Sequence, residues 1–240
     1  SGSKDEAVWI ASAALWWVDK LYSHDNGDSG LRADAQQGAL TDSIFDNNTG
    51  DGAQFGATAF YTRIKGCHFQ FNDGHGMDTD ASRSTISDCT FLQNDHGIFI
   101  GGASYLTVST CSFKDTRNTY DDIKAQNSDH LAFANIVSTA SSDAERCLNF
   151  DNVDFLSLVN ILSSGKDTAD IEIQSDCTQV SLGTLNLSST VKTIIPDPSV
   201  ILPMNKHNWI TIPKDMNATI IGTNKAAYVT ARLCAGFGTD

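Results

Sequence analysis

The 240-residue sequence predicts an all-β solenoid of about seven coils, and three observations lead there. Cys67, Cys89 and Cys111 stand 22 and 22 residues apart. Around them the pattern apolar-x-x-small/apolar-x-apolar recurs seven times, at Leu40/Ser43/Phe45, Ile64/Cys67/Phe69, Ile86/Cys89/Phe91, Val108/Cys111/Phe113, Phe133/Ile136/Ser138, Leu158/Ile161/Ser163 and Leu182/Leu185/Leu187, with steps of 24, 22, 22, 25, 25 and 24. The third observation is what fills each unit: short β-prone runs separated by Gly, Asn and Asp turns, without helical periodicity. Self-similarity at that period means one supersecondary unit per repeat, stacked on its neighbours. A chain of 25.8 kDa with 40% hydrophobic residues can bury such a core without metals or disulfides.

Taken in order, Ser1-Gly2-Ser3 reads as a cloning scar. Residues 4–22 read as an apolar helix, with Ser3 and Glu6 at capping-box positions and Val8, Trp9, Leu15, Trp16, Val18 and Tyr22 to be buried. Residues 1–37 therefore hold this helix, a lid or oligomer contact, and a lead-in segment. The coils occupy 38–190. Three residues past each of the first three repeat aromatics stand Asn48, Asn72 and Asn94, placed to hydrogen-bond from coil to coil. A second short strand follows in each coil: Ala53–Phe55, Met77–Thr79, Ile98–Ile100, Ile123–Ala125, Leu148–Phe150 and Ile171–Ile173. Beyond Leu187 come all four prolines, Pro196, Pro198, Pro203 and Pro213, among short β-prone runs. Proline removes a ladder donor, so 191–240 reads as a small C-terminal β cap or oligomerisation segment.

Units lacking several leucines and a helical stretch are not leucine-rich repeats. Irregular coil length argues for a right-handed parallel β-helix, whose inward side chains stack about 4.8 Å apart. Cys67, Cys89 and Cys111 are then inward free thiols, because parallel stacking aims their sulfurs poorly for a bridge. Units such as Cys89-Thr90-Phe91-Leu92-Gln93-Asn94-Asp95-His96-Gly97-Ile98 resemble the generic repeat of the right-handed parallel β-helix, pectate-lyase-like superfamily, over roughly residues 38–190. What that resemblance implies is a fold and a surface for polysaccharide.

In the second strand the middle residue of each coil faces outward. The column reads Gln54, Asp78, Phe99, Lys124, Asn149, Glu172, with His75, Asp80, Asp95, His96, Asp121 and Asp122 in the flanking turns. An exposed ring stacks on a sugar face, while amides and carboxylates bridge hydroxyls. Carboxyl groups two rungs apart would lie roughly 9 to 10 Å from each other, near the upper end of the inverting-glycosidase range. Asp78 with Asp121 or Asp122 is thus the expected catalytic set of an inverting hydrolase. Gln54, His75, Asp80, His96, Phe99, Lys124, Asn149 and Glu172 are the expected substrate contacts.

Gly74-His75-Gly76, Asp95-His96-Gly97-Ile98 and Asp121-Asp122-Ile123-Lys124 look partly similar to elements of polygalacturonase-like hydrolases, but in another order and with Asp122 where that family has arginine, so its mechanism does not carry over. A lyase would gather calcium on Asp78 and Asp80 and use Lys124 as base; otherwise no metal or cofactor is expected. The six cysteines include no Cys-x-x-Cys pair, which disfavours zinc. Asn47, Asn186 and Asn217 sit in glycosylation sequons.

A net charge of 16 − 29 = −13 opposes nucleic acid and anionic membranes, and neither an export signal nor a membrane-length apolar run is present. The other outward column, Ile44, His68, Thr90, Ser112, Val137, Leu162, Asn186, carries apolar members that suggest a covered face. In overall plan the chain resembles trimeric phage tailspikes and tail-fibre receptor-binding proteins, which implies a homotrimer in a phage tail or outside the cell that binds, and hydrolyses, bacterial surface polysaccharide. A non-catalytic receptor-binding or structural β-helix is the alternative, and a secreted pectate-lyase-like enzyme the third.

Overall fold

The computed structural model describes residues 4–114, 120–139, 146–166, 169–174, 176–187 and 210–211. The chain winds as a parallel β-solenoid of about seven turns. Strands β1 (Val8–Ile10), β2 (Trp16–Asp19) and β3 (Tyr22–His24) make the first turn. Then come β4 (Leu31–Ala33), β5 (Gly38–Thr41) and β6 (Ile44–Asp46), followed by β7 (Ala53–Phe55), β8 (Arg63–Lys65) and β9 (His68–Gln70). Next are β10 (Met77–Thr79), β11 (Thr85–Ser87) and β12 (Thr90–Leu92), and then β13 (Ile98–Ile100), β14 (Thr107–Ser109) and β15 (Ser112–Lys114). Two long strands, β16 (Ile123–Thr139) and β17 (Arg146–Ser164), each run round a whole turn, and β18 (Ala169–Ile173), β19 (Ser181–Leu182) and β20 (Leu185–Leu187) follow. The first, second and third strand of every turn stack into three parallel faces. A last strand, β21 (Ile210–Thr211), pairs with β20. The rest of the expected C-terminal cap lies outside the described residues.

The N-terminal helix expected over residues 4–22 is not there. That stretch forms β1 to β3, and β1 pairs with β4 as β2 pairs with β5. Val8 and Ile10, like Trp16 and Val18, turn toward the interior while Trp9 and Trp17 stay exposed, which is the period of two of a strand. The repeat therefore reaches back beyond residue 38, with Val18 stacked under Leu40.

The core is a set of columns. Phe45, Phe69, Phe91 and Phe113 stack with ring centroids 5.1, 5.0 and 4.8 Å apart and planes within 7° of parallel. The ring column needs glycine beside it: a Cβ on Gly76 would meet Phe91 Cδ1 at 2.7 Å and the Gly97 carbonyl oxygen at 2.7 Å. Cys67, Cys89 and Cys111 are buried free thiols in the expected inward stack. The asparagine ladder is present too, one rung longer than expected: the side-chain amides of Asn26, Asn48 and Asn72 donate to the Oδ1 of Asn48, Asn72 and Asn94 at 2.7, 2.8 and 2.8 Å. These amides satisfy turn backbone that a buried loop would otherwise leave unpaired.

Candidate functional site

The outward column of the first face stands in register. Trp9, Arg32, Gln54, Asp78, Phe99, Lys124, Asn149 and Glu172 are successive Cα partners. Gln54, Asp78, Phe99, Lys124 and Glu172 are half-exposed, whereas Asn149 is 5% exposed. Gln54 donates to Asp78 Oδ2 at 3.2 Å. Lys124 forms no ion pair among the described residues.

A second column lies beside the first, in the turns that lead into these strands. The Gly52 amide bonds the His75 carbonyl, the Gly76 amide the His96 carbonyl and the Asp122 amide the Arg146 carbonyl. Stacked turn on turn this gives Asp51, His75, His96, Asp121 and Arg146. His75 lies parallel to Phe99, 13° and 5.0 Å away, so the two columns touch through these rings. His96 tilts against His75 at 5.0 Å and meets Tyr120 edge-on at 5.0 Å. The His75 backbone amide donates to Asp51 Oδ1 at 2.7 Å. Asp51 comes this close to the chain above because the turn carries Gly74, where a Cβ would sit 2.5 Å from Asp51 Oδ1.

The electrostatics follow from this crowding. Burial pushes the Asp51 carboxyl up to about 7, against the His75 amide bond and with help from Asp78, Asp28 and Asp95. Burial holds the His75 imidazole below its usual value, and burial together with His75 takes His96 down to about 3, so His96 is neutral. The Asp80 carboxyl is raised by burial and by Asp78. A raised carboxyl makes folding consume protons: Asp51 ionises near 3.8 unfolded and near 7 folded, so its part of the stability is present at acid pH and is lost as pH rises from about 4 to about 7. Urea midpoints across that interval should fall less in Asp51→Asn than in the parent chain, and equal slopes would remove Asp51 from this role.

The two expected acids that lead into β16 are placed unlike Asp78. Asp122 points inward, 0% exposed, with its carboxylate held by Ser138 Oγ and by Lys166 Nζ at 2.6 Å, so it cannot reach a ligand on the outer surface. Asp121 is 2% exposed, and Arg146 Nη1 at 3.0 Å and Asn149 Nδ2 at 2.8 Å bind its two oxygens. Arg146 also pairs with Glu172. Asp121 thus braces the neighbouring turns through Arg146 and Asn149, and Asp78 is the expected acid that faces outward. Asp51, Tyr120 and Arg146 went unmarked in the sequence. The Asp51-Gly52 step carried the same turn signal as many others, and only the stacking of coils separates them. Among the described residues no group of three or more His, Cys, Asp or Glu side chains could hold a metal ion.

The family model described as "Right handed beta helix region" matches residues 6–142. No curated protein and no solved structure matches the chain.

Proposed function

The chain belongs to the right-handed β-helix family, and on that premise we propose that it is a phage tailspike or tail-fibre module that binds bacterial surface polysaccharide along the paired columns and hydrolyses it. The observation that carries this reading is the contact between the two columns, where an outward aromatic ring, an outward carboxylate and an ammonium with no ion pair among the described residues, Phe99, Asp78 and Lys124, occupy neighbouring rungs beside a carboxyl that keeps its proton to near neutrality, Asp51. The strip from Asp78 to Lys124 is on the order of 10 Å long, about two sugar units. In hydrolysis the outward Asp78 serves as base and Asp51, whose carboxyl burial holds protonated to near neutrality, as acid.

Release of new reducing ends from a panel of capsules and O-antigens tests the reading. One member of the panel is expected to be shortened by the parent chain. Phe99→Ala should weaken its binding about tenfold, the worth of one aromatic stacking contact. Binding without any reducing-end release would favour the non-catalytic receptor-binding reading, which the tying of Asp121 to Arg146 and Asn149 already favours over a pair of acids two rungs apart. A lyase acting through Lys124 would be told apart by unsaturated product ends.

The same reading includes self-association as a trimer, in a phage tail or outside the cell. Ile44, Val137 and Leu162 stand in one outward column of the third face and are 37%, 39% and 39% exposed. Sedimentation at high concentration is expected to show a species of three chains, and Val137→Glu with Leu162→Glu should dissociate it. A parent chain that stays at 25.8 kDa would end the trimer proposal.

A further inference from the structure

The phenylalanine column stops at Phe113, and the next two rungs are Ser138 and Ser163. The glycine column beside it changes at the same level. Above Gly97 the inward position passes to Asp122, then to Cys147 and Asp170, as the flanking registers Ile123↔Leu148, Arg146↔Ala169 and Leu148↔Ile171 require. Lys166 enters this chamber from the end of β17, where Gly165 turns with φ +72 and directs the next residue inward. Asp122, Cys147 and Asp170 are 0% exposed and Lys166 is 3% exposed. The Cys147 thiol is pushed up to about 12 by burial and feels Asp122, Lys166 and Asp170 together, so the three ionisable groups share one enclosure.

Lysine is almost never buried without a partner, and two opposite charges taken out of water lose much of their attraction to desolvation. The site has a way to remove both charges. Lys166 Nζ lies 2.6 Å from Asp122 Oδ2, and Ser138 Oγ donates to the same oxygen, drawing electrons from the carboxyl carbon.

We propose that Lys166 and Asp122 condense to an intramolecular amide that ties the start of β16 to the turn after β17, with Asp170 relaying the proton. Once a proton has passed from Lys166 Nζ to the Asp122 carboxylate across their 2.6 Å contact, the Nζ lone pair attacks Asp122 Cγ and forms the C–N bond. Asp170 carries one proton from the nitrogen to the departing hydroxyl. The C–O bond breaks and one water leaves, so the reaction needs neither oxidant nor cofactor. Two groups held at contact distance away from water react with effective molarities on the order of 10⁵ M or more. The product removes two buried charges, and a cross-link between residues 122 and 166 closes a loop through two turns of the solenoid.

Intact mass spectrometry of the folded full chain tests this. The mass is expected one water below that of the sequence, and after digestion the peptide with Asp122 is expected joined to one in which trypsin has not cut at Lys166. Lys166→Arg should restore the full sequence mass. Asp122→Asn should still form the amide, with ammonia leaving. Asp170→Asn should fold, by its circular dichroism, yet keep the uncondensed mass; if it condenses as fully as the parent, the relay is wrong. A folded parent chain with the full sequence mass and separate peptides overturns the cross-link, whatever the variants do.

Discussion

Asp78→Asn is expected to lower polysaccharide cleavage by about 10² to 10⁴-fold while leaving binding within a few-fold, because the amide keeps the shape of the carboxylate and its place beside Gln54 but cannot accept a proton. A second readout belongs to the same change. The Asp78 charge helps to raise the Asp51 carboxyl, so removing it should move the residual activity's alkaline limb toward lower pH. An unmoved limb would mean that the Asp51 carboxyl does not set it. Full cleavage by Asp78→Asn ends the assignment of the base. Full cleavage with an unmoved pH profile in Asp51→Asn ends that of the acid.

Phe91→Ala should cost about 3–5 kcal/mol of stability, the range for truncating an enclosed aromatic side chain. Its ring is 2% exposed and stacks on both Phe69 and Phe113. The neighbours are poorly able to close the gap, since each is held by its own rung and by the glycine column. Phe99→Ala, on the outside of the same turn, should cost much less, because that ring is half-exposed and touches His75 and His96 rather than the core. Urea unfolding of the two variants side by side gives the comparison. A loss under about 1 kcal/mol for Phe91→Ala would mean that the column carries little of the stability.

The repeat was legible because a solenoid writes its tertiary contacts into the sequence at a fixed interval. Once Cys67, Cys89 and Cys111 set the interval, Phe69, Phe91 and Phe113 had to stack and Asn48, Asn72 and Asn94 had to meet, and the outward column from Gln54 to Glu172 followed from alternation alone. Residues 4–22 misled because strands of three or four residues give too few positions to tell a period of two from a period of 3.6. Val8, Trp16 and Val18 fit an apolar helix face as readily as they fit successive inward sites.

The sequence by itself determined the coil, its register and which residues share a rung, since each of these depends only on spacing. The tertiary structure decided what each carboxyl could do. Asp121 and Asp122 are neighbours in the chain, yet one is bound by Arg146 and Asn149 beside the outward column and the other is enclosed with Lys166, 44 residues away. Asp51 looked like any turn aspartate until the coils above and below enclosed it. Burial and charge are properties of the assembled stack, and no interval in the sequence measures them.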